Sequence, residues 1–254
     1  MIQSMLFFPE KEFLEQPADY GLCVEDVYPI TADHVKLHGW YFEAPKTKAV
    51  LLFLHGNAGN IAGRIHKVKG WLEHGVSVLL LDYRGYGQSQ GQIQQGEDIV
   101  MDAKAGYDWL IRTKRWSADK IIVCGESLGS HPATRLAVDF ETAGLILEAP
   151  FTAFTDLAAI HYPALPKLAV QTLLKDFRFD NLSLISKVKA PVFIMHGTLD
   201  ATCPFLMGKK LFEEAPEPKQ FLKIPDAGHN NLPESAGEPY WDGPYEFLFK
   251  HSQQ

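Results

Sequence analysis

The sequence predicts an α/β domain: a doubly wound, mostly parallel sheet of about eight strands, with helices on both faces and a small insertion over the strand ends. Three observations lead there. Short runs of leucine and β-branched residues recur along the chain, a glycine turn closes most of them, and amphipathic stretches separate them. The runs are continuously apolar rather than alternating, which suits strands covered on both faces and therefore parallel pairing.

Taken in order, the first two elements are the antiparallel candidates 22–30 and 34–43, turning at Thr31-Ala32-Asp33. Val50-Leu51-Leu52-Phe53-Leu54 then runs into His55-Gly56, and Val76–Leu81 runs into Asp82 with Gly85 and Gly87 beyond. Ile121-Ile122-Val123 leads to Gly125, Leu145-Ile146-Leu147 to Pro150, Val192-Phe193-Ile194-Met195 to Gly197, and Phe221–Ile224 forms a last, shorter run. Helices are expected at 61–74, 96–115, 128–140, 204–215 and 239–251. The second of these carries Ile99, Ala103, Tyr107, Leu110 and Ile111 at helical spacing.

At 254 residues, 46% of them hydrophobic, the chain suffices for one domain spanning 1–254 with a large core. Its 24 basic and 31 acidic side chains leave a formal charge of -7, which excludes a surface that tracks nucleic-acid backbone. Cys23, Cys124 and Cys203 are too few and too scattered for a disulfide framework or a zinc site. The opening residues, Met1 to Phe8, are too short and lack the basic flank of a signal peptide, and no run is long enough to span a bilayer. A cytoplasmic location is the resulting expectation.

One stretch breaks the rhythm. From Phe151 to Lys189 the chain is rich in aromatic residues and proline, with a short helical pattern at 168–174. Its length and apolar character predict a cap, or pocket wall, at 151–189.

The chemistry centres on Gly125-Glu126-Ser127-Leu128-Gly129, a G-x-S-x-G sequence between a strand and a helix. A serine on so sharp a turn is held in a strained conformation with its hydroxyl exposed, and bulky side chains two residues to either side would collide. The hydroxyl needs a base. His229, in Gly228-His229-Asn230 after the last strand, is the histidine placed to reach back. The base needs an acid to fix its tautomer. Asp200, just past the 192–197 run, is the candidate, with Glu148 the runner-up and Asp226 read as supporting the histidine's own turn. The order Ser127, Asp200, His229 is the one a nucleophile elbow of this kind uses. The Leu128 N–H, at the start of the following helix, and the Asn57 N–H, in His55-Gly56-Asn57-Ala58-Gly59-Asn60, are the candidate oxyanion donors; Ala58 is the alternative to Asn57. His55 reads as a buried hydrogen-bonding residue, and Asp82 and Arg84 as braces of their loop. Gly85-Tyr86-Gly87 lacks the third glycine and the helix that a dinucleotide fingerprint requires.

Together the elbow, the loops 55–60 and 82–89, His196-Gly197 with Asp200, and Gly228-His229-Asn230 resemble the α/β-hydrolase superfamily. More narrowly they resemble its Bem46-like branch, whose animal members include protein depalmitoylases. The likeness runs from Val24 to Asn230 and implies the same nucleophile, acid and base. Two departures stand out. Ser130 replaces a glycine that many relatives carry, with Pro132 in the first helical turn where proline is tolerated. The N-terminal membrane segment common among relatives is also missing from the sequence.

The reading of the residues is therefore a serine hydrolase that cleaves an acyl ester or thioester through an acyl-enzyme intermediate. It requires no metal or organic cofactor. Its partners are a small or lipid-like acyl substrate or an acylated protein, with no nucleic acid. The rivals are a non-catalytic binding protein of the same fold, and a peptidase or amidase.

Overall fold

The computed structural model describes residues 3–251, with side chains up to Phe249. Eight strands form the main sheet: β1 Glu25–Val27, β2 His38–Phe42, β3 Ala49–Leu54, β4 Val76–Asp82, β5 Ile121–Glu126, β6 Gly144–Glu148, β7 Val192–Gly197 and β8 Lys219–Ile224. Their spatial order is β8-β7-β6-β5-β3-β4-β2-β1. Only the β1–β2 and β2–β4 pairs are antiparallel. Every residue of β3 to β7 is buried, as continuous apolar runs require, whereas the edge strands β1 and β8 are partly exposed.

The helices divide between the two faces. Gly96–Arg112 (α2), Ser130–Asp139 (α3) and Phe205–Glu214 (α7) bury Ile99, Leu110, Leu136 and Leu211 against one side of the sheet, with Leu52, Leu81 and Val123. Val68–Glu73 (α1) and Pro239–His251 (α9) cover the other, where Trp71, Tyr240 and Leu248 meet Leu51, Phe53 and Ile146. Between β6 and β7 come Phe154–His161 (α4), Lys167–Leu173 (α5) and the short Leu182–Ile185 (α6). Leu232–Ala236 (α8) precedes α9. Because β4 lies on one side of β3 and β5 on the other, the chain reverses its winding there. The crevice beyond the strand ends at that reversal is where such sheets place ligands.

Several elements differ in extent from their sequence pattern. The first expected strand shrinks to Glu25–Val27, plus an isolated bridge between Ile30 and Lys36. Pro29 supplies no ladder donor, and Asp26 spends its carboxylate on the His38 and Trp40 ring N–H groups at 2.7 and 3.0 Å. The expected helix 61–74 is a 3₁₀ stretch over Ile61–Lys67 before it becomes α-helical. Asn60 caps it by accepting the Ala62 N–H, and Asp82 accepts the Ile61 N–H. A pair that sequence gives no hint of joins Phe8–Pro9 to Ala58–Gly59, in parallel.

Candidate active site

Ser127 follows β5 directly, with φ at +50°, a left-handed conformation that non-glycine residues avoid at a cost of about 1–3 kcal/mol. Surrounding atoms enforce it. A Cβ on Gly125 would strike the Gly129 carbonyl, and one on Gly129 would strike the Leu54 carbonyl at the end of β3. The turn is thus packed so closely that only glycine fits on either side of the serine. The chain then continues as one 3₁₀ turn, Ser127–Gly129, into α3, so the expected helix 128–140 divides at Ser130.

The loops carrying Asp200 and His229 are laced together. Thr198 N–H donates to Ile224 O at 3.0 Å, Leu199 N–H to Ala227 O at 2.8 Å, and Asp226 N–H to Thr198 Oγ1 at 2.9 Å. This lacing places His229 Nδ1 at 2.7 Å from Asp200 Oδ2, and His229 Nε2 at 2.9 Å from Ser127 Oγ. The network assigns the proton to Nδ1, which leaves Nε2 as the acceptor facing the hydroxyl. Asp200 Oδ1 accepts the N–H groups of Thr202 and Cys203 at 2.9 and 2.8 Å, and His196 Nε2 stands 3.2 Å from Oδ2. Burial alone would raise this carboxyl's pKa. The His196 and His229 rings and the Cys203 N–H outweigh burial and hold it well below the usual carboxylate range.

The loop after β3 lies against the elbow. A Cβ on Gly56 would come within 3.4 Å of Ser127 Cβ and 2.7 Å of Glu126 Oε1. Asn57 is pinned on three sides: its side chain donates to Leu6 O at 2.7 Å, and the Tyr86 hydroxyl donates to its backbone and side-chain oxygens at 2.8 and 3.1 Å. Leu128 opens the turn beside Ser127, where an N–H has no acceptor within its own helix. Ala58 is exposed, stands in register with Phe8, and its carbonyl accepts from Arg64.

The other candidates lie elsewhere. Glu148 ends β6, but its oxygens meet Lys67 Nζ and the Tyr240 hydroxyl, each at 2.7 Å, rather than His229. Asp226 sits in a left-handed turn at φ +58° beside Thr198. His55 is fully buried, with Nδ1 at 2.7 Å from Gly56 O and Nε2 at 3.3 Å from Asp82. Arg84 joins Asp33 and Asp102 across its loop at 2.8 Å each. Among the described residues no group of His, Cys, Asp and Glu is arranged to hold a metal.

Sequence reasoning missed three neighbours of the site. Directly beneath the elbow, Glu126 meets Arg64 Nη2 and Lys67 Nζ, each at 2.7 Å, and Lys67 continues to Glu148. Burial opposes the charge on Glu126, yet the two cations hold its carboxyl well below its ordinary pKa. Arg64 also donates to Ala58 O at 2.9 Å, so one guanidinium ties the loop after β3 to the residue preceding Ser127. Cys203, fully buried beside the Ser127 hydroxyl, has its thiol pushed up by burial and by Asp200, which makes it an inert wall. Asn181, fully buried, donates to Ser130 Oγ and Phe151 O at 2.9 Å each and faces His131 Nδ1 at 3.1 Å. Ser130, where the resemblance led one to expect glycine, is therefore an acceptor for the segment after β6. No sequence pattern marks these contacts, since each depends on residues far apart in the chain.

His131 makes a testable feature of α3. Burial holds its pKa down to about 4, against the Asn181 hydrogen bond. An unfolded histidine titrates near about 6.5, so between the two values only the unfolded chain takes up the proton. Stability is therefore intact above that window and falls as the pH drops through it. Urea unfolding at about pH 7.5 and about pH 4.5 should show His131→Gln losing roughly 2 kcal/mol less on acidification than the parent chain.

This sheet order, with a serine on a strained turn after β5 and a histidine after β8, defines an α/β-hydrolase. The profile of the family described as serine aminopeptidase, S33, matches residues 45–186, and the chain belongs to that family of hydrolases. An uncharacterized protein of Mycobacterium tuberculosis is 33% identical over 250 residues, covering 97% of this chain and 86% of the relative. The α/β-hydrolase domain-containing protein WAV2 of Arabidopsis thaliana is 30% identical over 261 residues, covering 96% and 84%. A Pyrococcus furiosus esterase shares the fold at a TM-score of 0.80 and 23% identity, covering 96% of this chain and 97% of its own.

Proposed function

We propose that the protein is a serine hydrolase of the Bem46-like branch that cleaves acyl esters or thioesters. His229 takes the Ser127 proton as Ser127 Oγ attacks the acyl carbonyl, and Asp200 steadies the resulting imidazolium. The N–H groups of Asn57 and Leu128 receive the oxyanion. The leaving group departs with the proton from His229, and water activated by the same ring then releases the acid. In this reading residues 1–254 act as one domain, and 151–189 forms the cap over the acyl group. The substrate is a small or lipid-like acyl compound or an acylated protein, and no step needs a cofactor.

The hydrogen-bonded chain from Ser127 through His229 to Asp200, 2.9 and 2.7 Å, carries this reading. A second reading, amide hydrolysis, draws support from the family's description as serine aminopeptidases. The test is a panel of p-nitrophenyl esters of increasing acyl length, an acyl thioester and matched anilides, alongside labelling by a fluorophosphonate. Stoichiometric labelling with turnover of esters or thioesters far above anilides is expected. Faster anilide turnover would favour the peptidase, and no labelling with no turnover would leave a binding protein.

A further inference from the structure

Beside the Ser127 site, large apolar side chains stand in water. Ile160, Tyr162, Leu165, Leu168 and Leu173 project from α4, α5 and the linker between them with exposures of 48% to 74%. Every residue from 160 to 169 is exposed. Leu199, next to Asp200, and Leu206, at the start of α7, are 64% and 71% exposed. The two groups adjoin, because His161 Nε2, at the end of α4, lies 2.8 Å from Thr202 O. Seven of the thirteen exposed large apolar side chains among the described residues thus belong to these two short segments. A concentration of this kind marks an interaction surface rather than the scattered apolar residues any protein shows.

The charge of the patch narrows its partner. The chain carries 31 acidic residues and a formal charge of -7, yet residues 157–175 contain Lys167 and Lys175 and no acid. Residues 199–210 add Lys209 and Lys210, and their one acid, Asp200, is buried against His229. Lys209 stands 3.8 Å from Glu213, while Lys167, Lys175 and Lys210 have no ion pair among the described residues.

We propose that this face docks on a bilayer surface that carries anionic phospholipid. Leucine, isoleucine and tyrosine side chains enter the boundary between headgroups and acyl chains, and the flexible lysine stems reach the phosphates. A second copy of the chain fits less well: a two-fold contact centred on Leu165 and Leu168 would set Lys167 against its own counterpart, with the nearest acids of the segment, Asp156 and Asp176, eleven and nine residues away in the chain. The use of such docking, presenting membrane acyl groups to Ser127, rests on the function proposed above. The docking itself does not.

Co-sedimentation of the full chain with phosphatidylcholine vesicles, with and without phosphatidylglycerol, tests this. Binding is expected on the mixed vesicles, weaker on phosphatidylcholine alone, and reduced by salt. The double variant Leu165→Glu/Leu168→Glu should partition at least about tenfold more weakly, since two exposed anchors are lost. Lys167→Gln and Lys175→Gln should each weaken binding to anionic vesicles about fivefold. All should keep the parent's far-ultraviolet circular dichroism and unfold at the parent Tm, since the replaced side chains are exposed, and Ile160→Ser/Tyr162→Ser serves as a second apolar pair should the leucine variant misfold. No sedimentation, equal binding to both vesicle types, or binding unchanged in both apolar variants overturns the proposal. So does a parent dimer that the leucine substitutions dissociate. Ser127→Ala should sediment like the parent, and a parent chain that binds vesicles yet turns over no ester or thioester would refute the hydrolase reading alone.

Discussion

Replacing Ser127 by alanine is expected to lower kcat on the best ester substrate by about 10⁵–10⁶-fold, leaving a residue of catalysis from the loops proposed to hold the acyl carbonyl. At φ +50° alanine is no less strained than serine, so the variant should lose only the hydroxyl's contacts with His229 and Cys203 and remain within about 1 kcal/mol of the parent's stability. His229→Ala should fall by a similar factor, and the double variant by little more, since the proposed mechanism makes the hydroxyl and the imidazole act as one unit. Asp200→Asn is expected to lose about 10⁴-fold, because an amide in place of Oδ2 favours the wrong ring tautomer. Steady-state kinetics with active-site titration would check all four. A Ser127→Ala protein that keeps most of its turnover would place the reaction elsewhere.

The second large effect concerns stability. Lys67 Nζ bridges Glu126 and Glu148 at 2.7 Å each, in a setting where all three residues are buried. Lys67→Met would leave two carboxylates facing each other under the elbow with Arg64 alone to offset them. Removing one partner from a buried ionic cluster destabilises by about 3–5 kcal/mol, which for a chain of this length lowers the Tm by about 10 °C. The deficit should shrink at acid pH, since a buried carboxylate that has lost its cation binds a proton more readily and the folded variant gains from that protonation. Adding Glu148→Gln to Lys67→Met should restore part of the loss. Calorimetry across pH would reveal both. A Tm unchanged at neutral pH would mean that water, rather than Lys67, neutralises the cluster.

How much of this was legible in the sequence follows from the range of the interactions. The runs at 50–54, 76–81, 121–123, 145–147 and 192–195 all lie within strands, because a central strand needs apolar side chains on both faces and little else fits that demand. The elbow shows itself because its glycines are dictated by local collision. The positions of Asp200 and His229 follow from strand ends and turns, which are also local. Lys67 does not: in Ile65-His66-Lys67-Val68 it looks like the solvated edge of a helix, and only the carboxylates arriving from β5 and β6 make it internal. Asn181 and the Phe8–Pro9 pair fail to show for the same reason, with partners 51 and about 50 residues away that no short window contains. The shortened first strand reflects Pro29, which has no N–H to give the ladder, while Asp26 stays within the strand and accepts from His38 and Trp40 across it.

The bridge between Ala153 and Asp180, with Asn181 fastened just beyond it, has an architectural consequence. It closes the base of everything from α4 to α5, so the intervening chain leaves the sheet and returns to it at a single point, its ends no farther apart than neighbouring strands. Such an arm is an interchangeable part. A longer, shorter or wholly different excursion can be spliced between the same two residues without disturbing the register of β6 and β7, so the surface around Ser127 can diversify while the machinery beneath it stays fixed.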